Sequence, residues 1–230
     1  MSAVKQLSDI QASIRADEAQ YHRGSGSVAL IAVSKTRSSD EVLALYQAGQ
    51  TAFGENYLQE ALEKIAALTS QNKAQNIEWH FIGAIQSKKA KQIAENFQWV
   101  HSLDRLKVAE RLNQFSENQP LNILIQMNLE DEASKGGVAP SQLPALAKAV
   151  DELEHLRFRG LMFMPKVHHS FEAQQAVFQQ AKQIFDALKV SFPEIDQLSM
   201  GMSADKSAAI SKGATMVRIG TALFGARPTK

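Results

Sequence analysis

The chain has 230 residues, 44% of them hydrophobic and 21% charged, with a formal net charge of +1 and no cysteine. Length and composition are those of an ordinary globular protein with enough chain for a large core in one domain. The near-neutral charge gives no field that would favour nucleic acid, and the lack of cysteine excludes disulfides, thiol catalysis and cysteine metal sites.

The first segment, MSAVKQLSDIQASIRADEAQ, is broken by charges throughout and has no apolar stretch of the kind a signal peptide needs. Val4, Leu7, Ile10 and Ile14 recur at helical spacing, so it reads as an amphipathic helix. No apolar run approaches the length of a membrane span. The expectation is a cytoplasmic protein with no membrane association.

From residue 28 onward the pattern alternates. Short runs rich in β-branched and aromatic residues are each followed by a helical stripe: VALIAVS (28–34), TAFGEN (51–56), EWHFIG (78–83), WVHSLD (99–104), NILIQMNL (122–129), FRGLMFM (158–164), QLSMGM (197–202) and MVRIGTALFG (216–225). Ser38, Ser39 and Asp40 offer caps for the first helix, and Gly49 offers its stop. Later stripes run through Leu58, Ala61, Leu62 and Ile65, through Ala90, Ile93, Ala94 and Phe97, and through Val177, Ala181, Ile184, Phe185 and Leu188. SADKSAAISKG closes at Gly213.

Strands alternating with helices imply parallel pairing with helical crossovers. Eight such units predict an α/β fold, a closed (β/α)8 TIM barrel with an extra N-terminal helix, in a single domain spanning 1–230. The third, fourth and seventh strands are short. An open sheet is the alternative if one of them is lost.

A barrel carries its chemistry at the C-terminal ends of its strands. The first strand ends in Ser34 and Lys35, the second in Glu55 and Asn56, and the seventh brings Ser199, Gly201 and Ser203. The eighth brings Arg218, Gly220 and Thr221. Loops after strands seven and eight are the usual phosphate site of such barrels, and glycine there lets an anion approach the backbone. A lysine at the end of an apolar strand can simply snorkel to water, or it can act as a nucleophilic amine. Beside a phosphate cradle, the amine suggests a ligand with both an aldehyde and a phosphate, such as pyridoxal 5′-phosphate. Arg218 lies two residues before Gly220, hence on the same strand face.

The segments IAVSKTRS, FGENYLQEA, WHFIGAIQSKK, VHSLDR, LSMGMSADKSAAI and TMVRIGTALFGAR resemble, in that order, the pyridoxal phosphate homeostasis family. Its fold is that of the N-terminal domain of bacterial alanine racemase. The resemblance implies a Schiff-base lysine at Lys35, a pyridine-facing Arg218, a phosphate held by Ser203, Gly220 and Thr221, and Asn56 near the cofactor ring, with Ser199 as a neighbour. It implies binding and release of the cofactor without established turnover, with pyridoxal-phosphate-dependent apo-enzymes as recipients. The segment DEASKGG resembles a family loop whose lysine, here Lys135, takes part in release or transfer. The chain departs from the family at Gly83–Lys89, where GPLQSNK is expected. It departs again at Ala204, where a second acidic residue is expected, and at Gly136, where serine is expected.

Other polar residues carry plainer readings. Glu55 orients its neighbours. His80, His101 and the pair His168–His169 lack metal-ligand spacing, so no zinc site is expected. SKKAKQ (87–92) is the solvated face of a helix. The rival function is an amino-acid racemase, which needs two positioned acid/base groups. Only Tyr21, Tyr46 and Tyr57 could supply a tyrosine, none is an obvious candidate, and no second domain is expected after the barrel. No catalytic residue is therefore assigned, and a monomer is expected.

Overall fold

In the computed structural model, which describes residues 3–70, 74–130 and 136–225, eight parallel strands close into a barrel in chain order. They are β1 (Ala29–Val33), β2 (Ala52–Glu55), β3 (Glu78–Phe81), β4 (Trp99–Leu103), β5 (Leu121–Met127), β6 (Leu156–Phe163), β7 (Gln197–Ser199) and β8 (Met216–Ile219). Closure is made by β8 against β1, in a register that sets Ala29 opposite Met216 and Ala32 opposite Ile219. The helices are α1 (Ala3–Gln20), α2 (Ser39–Gln47), α3 (Leu58–Ser70), α4 (Ala90–Asn96), α5 (Leu106–Gln114), α6 (Leu143–Asp151), α7 (Phe171–Ser191), α8 (Lys206–Ser211) and α9 (Thr221–Phe224). The closed barrel, the short third, fourth and seventh strands and the N-terminal helix all match the sequence reading. Among the described residues no helix is long and apolar enough to cross a membrane.

Side-chain alternation divides the interior into two cores. Residues such as Leu30, Ala32, Phe53, Phe81 and Val100 face outward against the helices. Ile31, Trp99, Leu124, Met162 and Met216 meet inside the barrel. The period of two along each strand produces this division. The same parity decides which polar residues enter the barrel.

Local signals explain the boundaries. Ser38 and Glu41 form a reciprocal capping box at the start of α2. Gly49 stops that helix at a φ of 98°. The eighth apolar run, read as continuous from 216 to 225, breaks at Gly220, whose φ of −117° and ψ of −75° leave the strand and open α9. The seventh run ends as a strand at Ser199. Gly201 then turns at a φ of 95°, where a Cβ would stand 2.6 Å from that of Ala209. Only glycine permits this close passage of β7's exit over α8.

Helix α1 is fastened to the barrel at both ends of the chain. Glu18 accepts hydrogen bonds from Val28 N at 2.7 Å and Gly26 N at 3.0 Å. Asp17 pairs with Lys206 at 2.6 Å. The helix therefore holds the entry to β1, the strand that leads to Lys35.

Candidate functional site

At the C-terminal mouth of the barrel lies a cavity of about 300 Å³ lined by Lys35, Asn56, Ser203, Arg218, Gly220 and Thr221, with apolar walls from Val33, Ile82, Met162, Met164 and Met202. Six of the seven residues singled out in the sequence thus converge on one space. The seventh, Ser199, is fully buried beneath it and reaches it through Arg218. Lys135 lies outside the described residues. A cavity of this size, apolar with a few convergent polar groups, fits a small ligand.

Arg218 is held from two sides. Its Nη1 donates to Ser199 Oγ at 2.6 Å and its Nη2 to the carbonyl of Phe163 at 2.9 Å. Burial lowers its pKa to about 10, while Asp205 opposes the shift. The guanidinium remains protonated at neutral pH and donates only. Asp205 itself is fixed by accepting from Met202 N at 2.6 Å, and burial raises its pKa.

Lys35 sits between two clamped residues. Ser34 Oγ donates to Glu55 Oε1 at 2.6 Å, and Lys64 Nζ donates to the Ser34 carbonyl at 2.6 Å. On the other side, Thr36 N donates to Glu60 Oε1 at 2.6 Å. Lys64 ties the clamp together by pairing with Glu55 at 2.7 Å and Glu60 at 2.6 Å. Thr36 has a φ of 64°, a conformation that costs a β-branched residue roughly 1–3 kcal/mol and persists only where surroundings impose it. Burial raises the pKa of Glu55, and the Lys64 ammonium pulls it back. Glu55 thus orients its neighbours, as the sequence reading held.

The rim is closed from both sides. Ser203 Oγ accepts from Ala222 N at 3.4 Å, joining the loop after β7 to the start of α9. Asn56 enters because Gly83 leaves room: a Cβ on Gly83 would lie 2.0 Å from the Asn56 carbonyl oxygen. Asn56 Oδ1 is buried with no hydrogen-bond partner among the described residues. Such an atom awaits a donor. Tyr57, by contrast, is 52% exposed and lines a neighbouring cavity of about 450 Å³ on the outer side of Asn56. Tyr21 bonds Ser207, away from the site.

Sequence reasoning missed Lys64, Glu60 and the joint role of two histidines. The signal for Lys64 was present: it lies three residues after Ala61 and four before Leu68, on the buried face of α3. His80 and His101 are partners of each other, His80 Nδ1 to His101 Nε2 at 2.9 Å.

Residues 8–228 match the family described as alanine racemase, N-terminal domain. A pyridoxal phosphate homeostasis protein of Vibrio alginolyticus is 49% identical over 99% of both chains. One of Escherichia coli K12 is 45% identical over 96% of this chain and 95% of that one. Among solved structures, PipY of Synechococcus elongatus PCC7942 with PLP bound superposes with a TM-score of 0.85 at 33% identity, covering 97% of this chain and 100% of that one. Alanine racemase of Corynebacterium glutamicum shares the fold, with a TM-score of 0.68 at 16% identity over 96% of this chain and 61% of that one.

Proposed function

The chain belongs to the alanine racemase N-terminal domain family and, within it, to the pyridoxal phosphate homeostasis proteins, and on that premise we propose that it binds pyridoxal 5′-phosphate and acts as a carrier or regulator of the cofactor rather than as an enzyme. Residues 1–230 serve as one binding domain. The observation that carries the reading is the convergence of an amine, a guanidinium and a hydroxyl-and-glycine rim on one cavity, with Lys35, Arg218 and Ser203–Gly220–Thr221 as its walls.

Lys35 would hold the cofactor through its aldehyde, as a Schiff base. Ser203, Gly220 and Thr221 hold the phosphate. The glycine fits this role. A Cβ at 220 would meet protein atoms no closer than 3.4 Å, so packing does not demand glycine there, whereas an anion against the backbone does. Asn56, with its buried, unpartnered oxygen, would lie beside the ring. Arg218 would face the pyridine nitrogen as a donor.

That last assignment also argues for a holding role. A carboxylate partner keeps the pyridinium protonated and makes the ring a strong electron sink, and an arginine does not. Racemisation further needs two acid/base groups, one on each face of the substrate. Among the described cavity-lining residues, Lys35 is the one side chain suited to proton transfer, since Arg218 stays protonated. The chain would act as a monomeric carrier in the cytoplasm and release the cofactor to pyridoxal-phosphate-dependent apo-enzymes.

The test is an absorption spectrum of the purified protein with pyridoxal phosphate, followed by borohydride reduction and mass mapping. A visible band that borohydride abolishes, with the reduced adduct on Lys35, supports the reading. A protein that gains no band, or whose adduct maps elsewhere, overturns it. Amino-acid racemisation lost in Lys35→Ala would replace the carrier with an enzyme.

A further inference from the structure

A line of hydrogen bonds crosses the barrel interior from one mouth to the other. At the N-terminal mouth, Glu78 Oε1 lies 2.9 Å from His80 Nε2. His80 Nδ1 lies 2.9 Å from His101 Nε2, and His101 Nδ1 lies 3.0 Å from Ser199 Oγ. Ser199 Oγ then meets Arg218 Nη1 at 2.6 Å. His80, His101 and Ser199 have no exposed surface, while the Glu78 side chain is 48% exposed. The line thus joins solvent at the bottom of the barrel to the cavity at the top.

The carboxylate end fixes the direction of every bond as far as Ser199. A guanidinium only donates, and a carboxylate only accepts. Glu78 therefore requires a hydrogen on His80 Nε2. Burial depresses the pKa of both histidines, so both rings are neutral and each carries one hydrogen. His80 Nδ1 is then an acceptor, His101 Nε2 must donate to it, and His101 Nδ1 must accept. Only the Ser199 hydroxyl can donate there. Its oxygen is left with lone pairs toward Arg218. The rings are also held mechanically: His80 stacks on Trp99 at 5.5 Å, and the guanidinium of Arg159 covers Trp99 at 5.0 Å.

We infer that Glu78 is a positioning residue for Arg218, acting through His80, His101 and Ser199. Its carboxylate selects the tautomers of both histidines and so turns the Ser199 hydroxyl away from the guanidinium. Without it the chain is free to reverse, His101 Nδ1 can donate to Ser199, and Arg218 competes for the same oxygen. The inference rests on the reading of Arg218 as the ring-facing group, and it locates control of that group at the opposite end of the barrel.

The experiment uses the full chain and two readouts. Long-range nitrogen-15 NMR of the ligand-free protein reports the tautomers directly. Both histidines are expected in the Nε2–H form. Glu78→Ala is expected to mix them, and Glu78→Gln to restore them, since its amide oxygen can still accept. In parallel, Glu78→Ala is expected to weaken pyridoxal phosphate binding by about tenfold, the equivalent of one ordinary hydrogen bond. It should do so only while Ser199 is present, with no further loss in a Ser199→Ala background. Nδ1–H tautomers in the parent protein, or an equal loss in both backgrounds, would overturn the inference. Failure of the parent protein to bind pyridoxal phosphate would overturn the proposed function, leaving the tautomers of the parent and Glu78→Ala proteins to decide the relay.

Discussion

Lys64 Nζ stands 2.6 Å from the carbonyl oxygen of Ser34, the residue immediately before Lys35. The ammonium is 5% exposed and the Glu55 carboxylate it neutralises is fully buried. Removing one partner of such a pair strands the other in the interior, at a cost of about 3–5 kcal/mol. Lys64→Met is expected to lower stability by that amount in a denaturant titration. Lys64→Met combined with Glu55→Gln should recover part of the loss, because the uncompensated charge is gone. A Lys64→Met protein as stable as the parent would show that Ser34 and Glu55 do not depend on it.

How far this clamp could be read from the sequence depends on the separation of its members. The parity of β1 is visible in the residue order, so the entry of Lys35 into the barrel is legible. Arg218 and Gly220 are legible for the same reason, two residues apart on one strand face. Lys64 shows itself only as a lysine on an apolar helix face, and nothing in the order of residues says that its partner is Glu55. The relay is harder still. Glu78 and His80 are neighbours on β3, but His101 and Ser199 are 98 positions apart and meet only because the barrel closes. Side-chain periodicity predicts which face a residue takes; it does not predict which strand lies opposite across the barrel.

The buried histidines give stability a predictable slope with pH. Both have folded pKa values below their ordinary 6.5 because burial disfavours the charged ring. Above pH 6.5 they are neutral in both states and contribute no slope. As pH falls below 6.5, the unfolded chain takes up protons that the folded protein refuses, so stability falls. The slope approaches about 1.4 kcal/mol per pH unit for each ring. Urea titrations between pH 7 and 5 should show this decline, and His101→Gln should reduce the slope by about half. A flat profile would mean that the rings protonate in place.

The phosphate rim makes a prediction about selectivity between pyridoxal and its phosphate ester. In the proposed assignment Ser203 and Thr221, which line the cavity, offer hydroxyl groups to the phosphate, and charge-assisted bonds of this kind are the stronger class. Ser203→Ala and Thr221→Val are each expected to weaken binding of the phosphate ester by roughly tenfold. Binding of pyridoxal itself should be nearly unchanged, since its aldehyde still meets Lys35. Competition measurements with the two compounds check this. An equal loss for both would place the phosphate elsewhere and return Ser203 and Thr221 to a purely structural role at the start of α9.

Gly83 and Asn56 provide the last test, because here packing and binding are coupled through one contact. A Cβ at position 83 would stand 2.0 Å from the Asn56 carbonyl oxygen and 2.8 Å from its carbonyl carbon. Both are backbone atoms, so no side-chain rotation relieves the clash. Gly83→Ala must push the chain after β2 away from β3, at a cost of at least about 1–3 kcal/mol. Ser102 Oγ donates to the Gly83 carbonyl at 2.5 Å and resists movement from the other side, so the displacement falls on Asn56. The variant is therefore expected to melt earlier and also to bind pyridoxal phosphate more weakly, while Asn56→Ala should weaken binding without a comparable loss of stability. A Gly83→Ala protein that loses stability but binds normally would separate Asn56 from the cofactor.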